Sequence, residues 1–150
     1  MNSHGHSLRR LTLALVGAGA VGLCGCASLT EKTTRWLSSD VVAYGVLDAR
    51  VMRGRASFPS EREATLQLQS SDAPGLSCFG SLRFTASNSG VVDFSCSDGR
   101  SLMVPFQSLG VLSGAGRGSS GPTRMAISYG LAPEKAASFL GLPADRLLMP

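Results

Sequence analysis

Apolar and polar residues alternate along much of the chain after residue 40, with the two-residue period of half-buried β-strands. The segment ATLQLQ, residues 64–69, follows this pattern, and VVAYGVLDARVMRG, residues 41–54, is rich in β-branched residues and predicts one or two strands. A longer segment, residues 76–107, predicts three strands joined by turns at SNSG and SDGR. The pattern therefore indicates a mainly β protein.

The first two of those three strands form a predicted hairpin with one face over a core. Its core-facing sets are Leu82, Phe84 and Ala86 on one strand and Val92, Phe94 and Cys96 on the other. A turn centred between Asn88 and Ser89 would leave Cys78 three positions out of register with Cys96. Direct pairing of the two cysteines would then need a bulge or bend, for which Gly80 is suited, or strands that are not nearest neighbours.

The C-terminal segment LAPEKAASFLGLPADRLLMP predicts a short helix. Pro133 and Glu134 suit its start and Gly141 its end. We expect Phe139 and Leu140 to dock this helix on the sheet, and a second apolar turn at residues 147–148 to cover an edge strand. The predicted fold is a small antiparallel sandwich or partly open barrel of about six to eight strands with a short C-terminal helix.

The glycine-rich segment GAGRGSSG, residues 114–121, has the G-x-G-x-x-G spacing of a dinucleotide-binding turn. Pro122 and the alternating TRMAISYG follow it, where that motif requires a helix. We interpret the segment as a flexible hairpin loop and a candidate binding loop, because long loops often carry binding sites. Its candidate residues are Gly114, Gly116, Arg117, Gly118 and Gly121.

The N-terminus differs from the remainder in pattern. Arg9 and Arg10 precede an apolar segment, residues 11–23, that is short for a membrane-spanning helix and typical of a secretory signal. It also has the Gly17-x-Gly19-x-x-Gly22 spacing of a dinucleotide site, with Asp40 at a tolerable distance, but the segment KTTRWLSS before Asp40 is too polar for the buried strand that should carry the acid.

Leu23-Cys24-Gly25-Cys26 resembles the lipobox of bacterial lipoproteins, although Cys24 is uncommon at the second place. The resemblance covers only this N-terminal part. It implies that residues 1–25 are a removed signal peptide, that Cys26 is the acylated N-terminus, and that membrane lipid holds the protein. Ala27 and Ser28, in place of an Asp after the cysteine, imply the outer membrane, with the protein facing the periplasm.

These boundaries predict a tether over residues 26–40, with Trp36 expected to pack on the domain, and a β-rich periplasmic domain over residues 41–150. Loss of Arg9 and Arg10 from the 14 basic residues leaves 12 against 10 acidic residues, so the mature chain has no nucleic-acid signature. Arg50, Arg53 and Arg55 form a possible basic patch, for which a charged strand edge that resists aggregation is the favoured explanation.

Cleavage would also remove both histidines, His4 and His6, and with them the usual catalytic base and zinc ligand. With Cys26 acylated, Cys78 and Cys96 are free to form a disulfide in an oxidising periplasm. We predict no metal and no cofactor.

The leading hypothesis is a non-enzymatic binding or assembly component whose partner is an envelope protein or glycan. The alternatives are a hydrolase of envelope glycans or lipids that uses carboxylates, with candidates Glu61, Glu63, Asp93 and Asp98, or a carrier with a ligand in a barrel cavity.

Overall fold

A computed structural model describes residues 39–60 and 62–148, which form eight strands followed by two short helices. The strands are β1 Ser39–Leu47, β2 Arg50–Phe58, β3 Glu63–Ser70, β4 Ser77–Phe84, β5 Ser89–Cys96, β6 Ser101–Gly110, β7 Ser113–Ser120 and β8 Thr123–Tyr129. The helices are α1 Pro133–Leu140 and α2 Asp145–Leu148. Strand β1 thus begins within the segment that the sequence assigned to the tether.

The eight strands form a closed barrel in which each strand runs antiparallel to the next. Strand β1 pairs with β2 on one side and with β8 on the other, where Ala43 lies opposite Tyr129 and Leu47 opposite Met125. The expectation of a mainly β fold with a short C-terminal helix is confirmed. The expectation of a sandwich or partly open barrel was wrong, because the β1–β8 pairing removes both sheet edges.

The interior of the barrel is a packed core. Inward residues alternate with outward ones along each strand, as Leu102, Val104 and Phe106 do along β6. Eight strands enclose a space that side chains just fill. Large inward side chains that are almost completely buried come from seven of the strands: Leu47, Met52, Leu66, Leu68, Leu82, Val92, Phe94, Val104, Met125, Ile127 and Tyr129.

Small inward residues lie beside large ones on neighbouring strands of this core. Tyr129 contacts Phe58 and Phe106, with ring centroids 5.6 and 6.0 Å apart. A Cβ atom at Gly114 would lie 2.4 Å from the Tyr129 hydroxyl, and one at Gly80 would lie 2.6 Å from the Phe94 ring. These glycines leave the space that the aromatic rings occupy.

A cluster of charges links the turns at one end of the barrel. Asp48, in the tight β1–β2 turn, has positive φ and accepts hydrogen bonds from the Arg124 backbone N–H and the Arg100 guanidinium. Arg100, which follows the β5–β6 turn, also pairs with Asp98. The two turns lie four strands apart in an eight-stranded barrel, so Arg100 connects opposite sides of this end of the barrel.

Helix α1 packs on the outside of β8 and β1. It begins with Pro133, and Gly141 ends it in the left-handed conformation, as the sequence predicted. Ala136, Ala137 and Leu140 form its buried face. These residues pack in a second apolar cluster with Val51 and with Leu147 of α2. The expectation that α2 covers an edge strand was wrong, because the closed barrel has no edge.

The disulfide prediction is confirmed, because Cys78 and Cys96 are bonded with their Cα atoms 4.0 Å apart. The predicted register was wrong. The two cysteines are direct partners in the β4–β5 ladder, which continues without a bulge to Phe84 opposite Gly90. The hairpin is centred on Ser87 rather than between Asn88 and Ser89, so Gly80 is not the site of a bend.

Candidate functional site

An apolar groove lies on the outer face of β5, β6 and β7. In the ladders, Val91 lies opposite Pro105 and Gln107 lies opposite Ala115. Successive residues of a strand point to opposite faces, so Phe106 fills the core while Pro105 and Gln107 point outward. The floor of the groove is therefore built from the outward positions of three neighbouring strands.

Leu109 and Phe139 supply large apolar side chains to this groove. Leu109 is 49% exposed near the end of β6, and Phe139 is 43% exposed at the end of α1. The guanidinium of Arg117 on β7 donates hydrogen bonds to the Phe139 carbonyl oxygen, which fixes the end of the helix to the barrel. Of the two residues expected to dock the helix on the sheet, Leu140 does so, whereas Phe139 faces the groove.

The apolar groove, defined by Val91, Pro105, Leu109, Ala115 and Phe139, has a volume of about 600 Å³. Its polar side chains come from Thr85, Ser89, Gln107 and Arg117. None of the described lining residues is a carboxylate, cysteine or histidine. This composition suits the burial of an apolar group with a few directional hydrogen bonds, as in binding sites, and offers no acid–base pair.

The predicted binding loop is a strand rather than a loop. Gly114, Gly116, Arg117 and Gly118 belong to β7, and only Gly121 lies in a turn, with φ of +57°. The glycines permit close packing, since a Cβ atom at Gly116 would lie 2.3 Å from the Pro105 carbonyl oxygen. Gly116 and Arg117 nevertheless line the apolar groove.

The remaining groove residues were missed by the sequence analysis, although the sequence held a signal for one of them, Pro105. Residues 102–106, LMVPF, are consecutively apolar. A strand with one solvated face would alternate, so outward Met103 and Pro105 mark an outer surface that is unusually apolar. The part played by Phe139 depends on how α1 packs, which alternation does not reveal.

The candidate carboxylates lie in separate places. Asp93 on β5 pairs with Arg83 on β4, and Asp98 pairs with Arg100 near the barrel opening. The hydrogen bond from Arg100 lowers the pKa of Asp98, which is opposite to the shift that a general acid needs. Glu63 is exposed at the start of β3, and Glu61 lies outside the described residues.

Several predictions fall on other residues outside the described part. These are the signal peptide, the lipidated Cys26 and the packing of Trp36. Neither helix in residues 39–60 and 62–148 has the length and hydropathy needed to cross a bilayer. Within the same residues, no three His, Cys, Asp or Glu side chains lie close enough together to hold a metal ion.

Comparison with known proteins gives a likeness of fold alone. No family model and no curated protein matches the sequence. Among solved structures, the redesigned β-barrel mFAP1, bound to DFHBI, is similar with a TM-score of 0.50 and 9% identity over 64% of this chain and 95% of that one. A second redesigned β-barrel has a TM-score of 0.45 and 9% identity, over 66% and 94% of the two chains.

Proposed function

We propose that this protein is a lipid-anchored component of the bacterial cell envelope that binds a partner protein through the apolar groove, without catalysis. The groove carries the proposal, because it exposes Leu109 and Phe139 on a barrel whose own core is already filled. Contiguous exposed apolar surface of this kind is typical of protein interaction sites.

The structure of the groove determines which parts of a partner protein can bind there. Strands β5, β6 and β7 are each hydrogen-bonded on both sides, so the partner has no free strand edge to extend. It must instead insert side chains between Leu109 and Phe139. Aromatic or large aliphatic anchors, with a hydrogen bond to Gln107 or Arg117 at the rim, match this lining.

The anchoring part of the proposal depends on the lipobox resemblance at Cys26. Twelve residues separate Cys26 from Ser39, where β1 begins. A fully extended chain of that length reaches about 40 Å. An acylated Cys26 would therefore keep the barrel close to the membrane. The Cys78–Cys96 disulfide supports an oxidising compartment such as the periplasm.

Photo-crosslinking in cells tests the binding proposal. A photoreactive amino acid at Leu109 should give one discrete crosslinked product, and the same group at exposed Asp72, in the β3–β4 connection, should not. Phe139→Asp should abolish the Leu109 product, since it puts a charge into the groove while leaving the Arg117 bond to the backbone carbonyl intact.

The anchor is tested separately by Cys26→Ser, which should release the protein from membranes. A Leu109 crosslink that survives Phe139→Asp in a variant with the wild-type melting temperature would contradict binding in the groove. Membrane retention of the Cys26→Ser protein would contradict the lipid anchor and leave the groove proposal standing.

A further inference from the structure

A second surface, on the outer face of β2 to β5, carries two rows of side chains that are polar except for Phe79. Directly opposed residues place Arg55, Gln67, Phe79 and Ser95 in one row, and Arg53, Gln69 and Ser77 in the next. Ser97, which follows β5, completes the second row, because its backbone N–H donates to the Ser77 carbonyl oxygen. Opposed side chains in antiparallel strands lie about 5 Å apart, so each row spans about 15 Å across the four strands. We call these eight residues the arginine face; they line a groove of about 590 Å³.

The arginine face is positively charged. Arg53 and Arg55 point outward from the same strand, and no described residue that lines the groove is acidic. None of the ion pairs among the described residues involves either arginine. Protection of a strand edge does not explain these charges, because β2 is hydrogen-bonded to β1 and to β3.

Arg53 is held in place at this surface. Its guanidinium donates to the backbone carbonyl of Arg146 in α2 at 3.1 Å, and its buried Nε has no hydrogen-bond partner among the described residues. Arg55, one pleat further along, is exposed to solvent. A fixed arginine beside an accessible one suits the recognition of a carboxylate or phosphate, which guanidinium groups bind through paired N–H donors.

The remainder of the face adds an aromatic ring and neutral hydrogen-bonding groups. Phe79 is 47% exposed between Gln67 and Ser95, and its ring offers a flat apolar surface among polar neighbours. Amide and hydroxyl side chains donate and accept hydrogen bonds, as the hydroxyl groups of a sugar require. Charge, ring and neutral polar groups therefore lie within one groove.

The disulfide lies directly behind this surface. Cys78 separates Ser77 from Phe79, and Cys96 separates Ser95 from Ser97. Ser97 is fixed further, because its hydroxyl donates to the Gly75 carbonyl and accepts from the Ser77 backbone N–H. The covalent link thus holds β4 and β5 in register beneath half of the arginine face, which prepares the surface for a rigid ligand.

We propose that the arginine face binds an anionic glycan, with Arg53 and Arg55 on its carboxylate or phosphate groups and a sugar ring against Phe79. The inference is independent of the apolar groove, which involves other strands and other residues. An acidic peptide would pair with the arginines but would not use the combination of aromatic ring, amide and hydroxyl groups that suits a sugar.

Calorimetric titration of the purified protein tests this proposal with defined probes. The anionic probes are soluble peptidoglycan glycan fragments from which the peptides have been removed, so that the lactyl group of the sugar carries a free carboxylate, and phosphorylated core oligosaccharide from lipopolysaccharide. Neutral chitotetraose and a polyglutamate peptide are the comparisons. We expect saturable binding of at least one anionic glycan, weakened by added salt, and at least about tenfold weaker binding of both comparisons.

Three variants locate the binding. Arg55→Gln and Phe79→Ser should each weaken binding about tenfold or more. Arg83→Gln is the matched control, since Arg83 is also an exposed arginine on the outside of the barrel but pairs with Asp93 outside the groove. It should leave affinity unchanged, and all three proteins should keep the wild-type melting temperature.

The outcomes separate the possible ligands. Preference for the peptidoglycan fragments identifies the carboxylate as the recognised group. The core oligosaccharide carries sugar carboxylates as well as phosphates, so binding that is lost after its dephosphorylation identifies the phosphate. The inference is overturned if neither anionic glycan binds, if polyglutamate binds equally well, or if Arg83→Gln weakens binding as much as Arg55→Gln does.

Discussion

The Cys78–Cys96 disulfide is expected to contribute a large part of the stability of the barrel. It joins residues 18 positions apart in sequence. In the chain-entropy description, closing a loop of that length in the unfolded state corresponds to about 3 kcal/mol at room temperature. Domains are typically stable by only about 5–15 kcal/mol, so this contribution is substantial.

The perturbation is the double substitution Cys78→Ala and Cys96→Ala, measured by urea unfolding followed by circular dichroism. The free energy of unfolding should fall by about 3 kcal/mol. Reduced wild-type protein is the matched control, because it keeps both sulfur atoms in the core and loses only the bond. It should show most of the same decrease, and a reductant should have no effect on the variant.

The reasoning is refuted if reduction leaves the urea midpoint of the wild-type protein unchanged. A decrease in the variant without a decrease in the reduced wild-type protein would assign the loss to packing at these two buried positions. The chain-entropy argument would then be wrong for this hairpin.

Three further predictions concern the core and the charged groups. Gly80→Ala should lower the free energy of unfolding by about 1–3 kcal/mol in urea, because its methyl group would meet the Phe94 ring, and adding Phe94→Leu should recover part of that loss. Arg100 lowers the pKa of Asp98 through a hydrogen bond, so the Asp98–Arg100 pair stabilises the fold above the ordinary pKa of 3.8. This stabilisation is lost as the pH falls through the lower pKa of the folded state. Arg100→Gln should therefore flatten the acid dependence of the melting temperature. Burial raises the pKa of Tyr129 from 10.0 to about 12, so the folded protein keeps a proton that the unfolded chain loses. Relative to Tyr129→Phe, the wild-type protein should therefore lose about 2 kcal/mol of unfolding free energy between pH 10 and 12. Equal losses in the two proteins would contradict this.

The β4–β5 hairpin shows what the sequence contained and what was missed. Both of its strands were predicted, but Ala86, expected to face the core, lies beyond the end of β4 and is exposed. The turn was placed by local preference at Asn88 and Ser89. Directly paired residues point to the same face of the sheet. If the inward residues of both strands have even numbers, the residue numbers of any directly opposed pair must add up to an even number. The observed pairing of Cys78 with Cys96 meets this condition, and the predicted centre did not. Alternation alone therefore carried enough information to reject the predicted register.

Strand β7 was harder to predict from the sequence. Glycine has a low preference for strands, and a segment with Gly114, Gly116 and Gly118 is typical of a loop. In the barrel, these positions face Tyr129 and the backbone of β6 at distances that exclude a side chain. The need for glycine arises from packing between strands, which local propensity does not express.

The choice between a sandwich and a barrel could not be made from alternation. Both folds bury one face of each strand and expose the other. The deciding feature is the contact between β1 and β8, whose partners Ala43 and Tyr129 are far apart in sequence. The apolar groove was partly visible in the run LMVPF, whereas the arginine face depends on the registers of four strands.

The proposed lipid anchor and the disulfide are tested together by the intact mass of the protein taken from membranes, with and without reduction and alkylation. The account predicts the mass of residues 26–150 plus acyl groups, with two cysteines alkylated only after reduction. An unprocessed chain without lipid and with four free thiols would contradict the account, because it would retain His4 and His6 and lose both the anchor and the covalent link behind the arginine face.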